Sequence, residues 1–226
     1  MGMAPVNNYP KWTGWQAVFV LAAMLVLVWP VALIENFFTM IFIQNLVMGA
    51  LVIFVSRWSG ASLHDLGLHR RDLGRNVLTG FLGGLALAFL IPAVLILMKF
   101  LTGHEPELQE VARQLTGAPG GLRMLWPVLV ISVAAPVAEE LYFRGMVFPL
   151  LRARFGVDAA ILVSALLFSL LHFSLYGLAP ITIGGAVLAY LYHRTGSLVT
   201  SVIAHGTWNG ITVLLTLYAD KFTRYI

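Results

Sequence analysis

Seven stretches of this sequence are apolar over about the length that a helix needs to cross a bilayer, and this leaves few folds open. A spanning helix takes about 20 apolar residues. The candidates are residues 15–34, 37–55, 77–98, a run opening at Leu122, 157–176, the shorter 178–192, and 198–219. In hydrocarbon every backbone N–H and C=O must be bonded within the protein, so such runs joined by polar loops read as helices. The expectation is an all-α polytopic membrane bundle of about seven transmembrane helices with its active site inside the bundle. Only 11% of the residues are charged, against roughly a quarter in a soluble domain. The net charge of +4 is no nucleic-acid signal, because the basic residues sit in short loops. With no cysteine, disulfide and thiolate chemistry are excluded.

Those loops also orient the chain. With seven spans, the N-terminal side holds Lys11, Arg57, Arg70, Arg71, Arg75, Arg152, Arg154 and Arg194, plus Arg144 if it is counted. The other side holds Lys99, Arg113, Arg123, Lys221 and Arg224. The excess of Lys and Arg marks the N-terminal side as cytoplasmic. One integral-membrane domain over residues 1–226 is expected. Residues 1–121 supply N-terminal helices and loops, and 122–219 form the core that carries the chemistry. Gly80, Gly83 and Gly84 mark a close-packing face on the third span. Glu105, Glu107 and Glu110 read as a solvated helix face.

The stretch VAAPVAEELYFRG, residues 133–145, places Glu139, Glu140 and Arg144 in this apolar setting. Residues 141–151 are still mostly apolar and the next break is RARFGVD, so the fourth helix is expected to run over 122–154, with kinks tolerated at Pro136 and Pro149. Paired with the fifth span as a hairpin turning near Phe155 and Gly156, it puts Glu139 about 16 residues before the turn and His172 about 16 after it. At 1.5 Å per residue both lie about 25 Å from the turn and can face each other. Three i,i+4 pairs, Glu140 with Arg144, Phe168 with His172 and His205 with Asn209, each share a helix face. A charge in mid-membrane costs about 2.5–3.5 kcal/mol, so such groups pair and usually serve a function.

These residue types suit hydrolysis. A carboxylate in an apolar pocket can take a proton from water. Imidazole and amide donors can stabilise an oxyanion. A glutamate and two histidines also match a catalytic zinc site, so Glu139, His172 and His205 are the ligands if a zinc is bound. The cofactor is therefore none or zinc. Asn209 beside His205 resembles a donor pair, and no acceptor is evident for the second ring nitrogen of His172 or His205, which leans against zinc. Marks of other intramembrane proteases are missing. His104-Glu105 is not followed by a zincin's second histidine, the aspartates lie in loops or at span ends, and no serine stands in a Gly-x-Ser-x-Gly turn.

EELYFR (139–144), FSLLH (168–172) and HGTWN (205–209), in this order and spacing, resemble the three motifs of the CPBP family, also known as the ABI or type II CAAX prenyl endopeptidase family. The resemblance covers roughly residues 122–215. It implies an intramembrane endopeptidase, often classed as a metalloendopeptidase. In it Glu139 activates water shared with His172, Glu140 and Arg144 hold the site in shape, and His205 with Asn209 forms the oxyanion hole. The implied partners are membrane lipids and a membrane-associated or prenylated peptide, with no nucleic acid. The compact chain suggests a bacterial inner membrane.

Other readings of the same residues are structural: an ion-pair cluster tying helices together at Glu139, Glu140 and Arg144, a histidine bonded to a neighbouring helix at His172, and an interhelical polar clamp at His205 and Asn209. A non-catalytic scaffold or bacteriocin self-immunity protein is the alternative function, and a transporter with a proton relay is a third. Phe168 reads as packing.

Overall fold

The computed structural model describes residues 10–28, 33–104, 110–116 and 121–224, with the side chains at 28 and 219–224 excepted. All regular structure among these residues is helical, in the order α1 (Gly14–Val28), α2 (Phe37–Trp58), α3 (Leu73–Thr102), α4 (Glu110–Thr116), α5 (Gly121–Phe155), α6 (Val157–Leu170), α7 (Leu178–Thr195) and α8 (Leu198–Arg224). Among the described residues, four helices are long and apolar enough to cross a membrane by themselves: α2, α3, α5 and α8. α1 and α6 are apolar but shorter. The seven expected spans thus appear as seven helices packed in one bundle, four of full length. Glu105 and Glu107 of the expected solvated face lie outside the described residues, and Glu110 opens α4.

Two expected spans are corrected. The first, expected over 15–34, is helical to Val28, and residues 29–32 lie outside the described residues. The Asn36 side chain then accepts from the Thr39 amide and starts α2. The fifth, expected over 157–176, stops at Leu170. Its last carbonyls are taken over locally: His172 Nδ1 donates to Phe168 O at 2.9 Å, and Phe173 adopts φ +50°. An imidazole thus stands where the helix would have used a backbone donor, and His172 belongs to a turn rather than to a helix.

α5 continues past Ala138, as the apolar run 141–151 required. It does so with two π-helical stretches, Val130–Ala134 and Leu141–Val147, that precede Pro136 and Pro149. A proline has no N–H to give and its ring crowds the preceding turn; the wider π turn relieves both. The Pro136 ring leaves carbonyls of that turn without a helical donor. Asn209 Nδ2, from α8, donates to one of them, Ile131 O, at 3.0 Å. Gly206 brings the α8 backbone so close to Ser132 O that an added Cβ would stand 2.5 Å from it.

α3 and α8 run side by side in the same direction along a seam of small residues. A Cβ at Gly80 would meet Thr200 O at 2.6 Å, and one at Gly84 would meet Ala204 O at 2.5 Å. Gly83 instead faces Leu191 of α7. Without a hydrophobic drive between helices in lipid, such close backbone approach supplies the packing energy. The loop between α2 and α3 locks one end of the bundle. Its Leu66 is fully buried beside Gly145, and Gly67 O accepts from the Leu198 amide at 2.9 Å.

Candidate active site

The site is built where α5, the α6–α7 turn and α8 converge. Glu140, just before the second π stretch of α5, and Arg144 within it share a face, as the i,i+4 spacing required, and both are 0% exposed. Arg144 Nη1 donates to Glu140 Oε1 at 2.8 Å, and Nη2 donates to Gly185 O on α7 at 2.8 Å. Its guanidinium carbon lies 4.9 Å from the centroid of the Phe168 ring, close enough for cation–π attraction. Glu140 Oε2 and Arg144 Nε are buried with no partner among the described residues.

His205, on α8, sits between the two glutamates. Its Nδ1 is 3.0 Å from Glu140 Oε1 and its Nε2 is 3.8 Å from Glu139 Oε2. The Glu140 carboxylate can only accept, so His205 Nδ1 carries the proton of that bond. The same logic holds for His172, whose Nδ1 faces the Phe168 carbonyl. Its Nε2 is then the unprotonated nitrogen when the ring is neutral. Phe168 joins the parts. Its ring centroid is 4.7 Å from that of His172 and 5.6 Å from that of His205, both near edge-to-face.

Glu139, His172, His205 and Asn209 all line one cavity of about 500 Å³, whose other walls are largely apolar. Glu139 and His172, expected at one depth, share this wall. Asn209 spends one N–H on Ile131 O and has a second, so it is an interhelical clamp that also borders the cavity. The reading of Phe168 as packing alone understates it, since it buttresses Arg144 and both imidazoles. Several polar wall residues were missed, and two stand on a single span. Gln44 and Asn45, on α2, also line the cavity. Asn45 donates to Ile41 O, and Gln44 makes only a long contact to Met24 Sδ at 3.8 Å. The available signal was two adjacent amides inside an otherwise apolar span.

The donor set can be tested against a zinc ion. Each imidazole has an acceptor on Nδ1, the orientation that a metal-bound histidine uses, so the sequence argument from a missing second partner is overturned. Among the described residues, however, no three His, Asp or Glu side chains converge as a ligand cluster. The residues in this arrangement do not fit a resident zinc, and no step below is routed through one.

Comparison with known proteins agrees with the motifs. Residues 121–211 match the family model described as type II CAAX prenyl endopeptidase Rce1-like, which bears out the resemblance drawn from the three motifs. A Bacillus subtilis protein named "Putative membrane peptidase YdiL" is 31% identical over 90 residues, which is 40% of this chain and 37% of that protein. The UPF0177 protein YxdF of Lactococcus lactis is 30% identical over 92 residues, 40% of this chain and 50% of that protein. The chain thus spans half or less of the length of these curated relatives. No solved structure matches. The apolar helices and these relatives together identify an integral membrane protein.

Proposed function

We propose that this chain, similar over residues 121–211 to the Rce1-like type II CAAX prenyl endopeptidases, is an intramembrane endopeptidase that hydrolyses a peptide bond of a membrane-associated substrate. One observation carries the reading: a carboxylate, Glu139, and two imidazoles anchored through Nδ1 border a single apolar cavity. Glu139 takes a proton from water, and His172 Nε2 holds that water for attack on the scissile carbonyl. His205 and the second N–H of Asn209 donate to the oxyanion. To donate from Nε2 while Nδ1–H is given to Glu140, His205 carries both ring protons. Its positive charge then offsets the one left over by two carboxylates and one arginine. Glu140 and Arg144 act through His205 and through the packing, not on substrate.

The test is cleavage by detergent-purified protein of a labelled prenylated CAAX peptide and of a transmembrane-peptide library. Glu139→Gln keeps the side chain's shape but cannot take a proton. It is expected to fold and to lose about 10²–10⁴-fold in turnover. Near wild-type cleavage by the folded variant would sink the role given to Glu139. Cleavage of the library but not of the CAAX peptide would show that prenylation is not required.

A further inference from the structure

The cavity reaches from the middle of the bundle to the end opposite the basic loops. Lys11 pairs with Asp65 at 3.1 Å, the Leu198 amide bonds Gly67 O, and His69 bonds Gly196 O. Four chain segments are thereby drawn to one face: the start of α1, the α2–α3 loop, the α7–α8 turn and, through continuity of the bundle, the α5–α6 turn. That face carries Lys11, Arg57, Arg70, Arg71 and Arg75, together with Arg152, Arg154 and Arg194. At the other face Tyr176 bonds His104 O at 3.4 Å, tying the α6–α7 turn to the end of α3. Its basic residues are Lys99, Arg113 and Arg123 and, by sequence, Lys221 and Arg224.

Most helices that border the cavity do so with the half nearer the second face, while α5 and α8 reach across the middle of the bundle with Glu139, Phe143 and His205. α2 contributes Ile41 to Met48 but nothing near Trp58, α3 contributes Ile91 to Leu95, and α8 contributes His205 to Thr216. α4 and the 173–177 turn, both at that face, complete the wall. Toward the basic face the route is filled. Residues 141–148 of α5 are all buried, and Leu66 plugs the space beside Gly145. Depth agrees. α6 has 14 residues and His172 lies just past its end, about 24 Å from the basic face in a hydrocarbon layer about 30 Å thick.

Because Lys and Arg accumulate on the cytoplasmic side, we infer that the cavity opens toward the extracytoplasmic side, so that its substrate is the extracytoplasmic part of a membrane-associated peptide. The substrate half of this inference rests on the peptidase reading; the orientation half does not. A carboxyl-terminal prenylated peptide presented in the cytoplasm would reach only the closed face.

The absence of cysteine makes the test direct. Gln114→Cys on α4, Leu175→Cys in the α6–α7 turn and Arg70→Cys in the α2–α3 loop place single thiols at exposed positions on the two faces. Each is treated with a membrane-impermeant maleimide in intact cells, and again after solubilisation. Only positions that react after solubilisation count, with Arg123→Cys as the reserve for the cavity face. The expected result is labelling of Cys at 114 and 175 in intact cells, and at 70 only after permeabilisation. The reverse pattern, or equal labelling of both faces, would overturn the orientation. Since no turnover is read, a failed peptidase assay and a failed orientation are distinguishable.

Discussion

Glu140 occupies the most demanding position in the molecule. Its carboxylate is fully buried and accepts from two donors through one oxygen, Arg144 Nη1 at 2.8 Å and His205 Nδ1 at 3.0 Å. Removing one member of such a cluster strands the others in a low-dielectric interior, which typically costs about 3–5 kcal/mol. Arg144→Ala is expected to lower the thermal midpoint of the purified protein sharply and to abolish activity with it. Glu140→Gln keeps the shape and should be milder in stability, yet it should still cut kcat, because a neutral amide oxygen holds the His205 ring more weakly than a carboxylate does. If Glu140→Gln left kcat unchanged, its part in orienting His205 would be wrong. Phe168 is a second residue whose position explains more than its chemistry. Phe168→Leu nearly preserves volume but removes the ring face under Arg144 and the edge contacts to both histidines. The expected outcome is a fall in kcat with little change in KM, restored by Phe168→Tyr. Loss of KM and kcat in equal measure by a folded Leu variant would assign Phe168 to substrate binding instead.

At the scale of elements, the site depends on how α5 is allowed to be irregular. The π stretches and the prolines together displace the backbone by a residue, and α8 answers with Asn209 and Gly206 at the altered turn. His205 directly precedes Gly206 and lies one turn before Asn209 on the same helix, so the contacts that seat α8 against α5 also set the imidazole between the glutamates. The α3–α8 seam supports α8 from behind. A Cβ at Gly84 would stand 2.5 Å from both Ala204 O and Thr207 Cβ, and backbone cannot move aside as a flexible side chain can. Overpacking of this kind usually costs about 1–3 kcal/mol. Gly84→Val is therefore expected to destabilise the protein and to impair turnover even though residue 84 is no part of the cavity wall. Gly14→Val, where an added Cβ meets nothing within 4 Å, is the control and should be neutral in a thermal-shift measurement.

For the molecule as a whole, what was legible in the sequence followed from the membrane. Apolar run length gave the helices, and the cost of buried charge singled out Glu139, Glu140, Arg144, His172 and His205. The i,i+4 spacing placed Arg144 against Glu140 correctly because that pairing is internal to one helix. The end of α6 was not legible. It is set by His172 capping a carbonyl, and an apolar sequence such as 171–176 does not signal a turn. Contacts between helices were hidden for the same reason: nothing local says that Glu140 serves as the partner of His205, or that Asn209 meets Ile131. This matters for the metal. The ring orientation that seemed absent from the sequence is present, so the argument now rests on convergence alone, and no three ligands converge among the described residues. With water held by Glu139 and His172 directly, a strong chelator should leave peptide cleavage unchanged, and the active, detergent-purified protein should carry much less than one zinc per chain. Elemental analysis paired with turnover decides the matter. Activity rising in proportion to bound zinc, and lost metal in Glu139→Ala, His172→Ala and His205→Ala alike, would mean that the three side chains draw together around an ion. The carboxylate would then be a ligand and not the base.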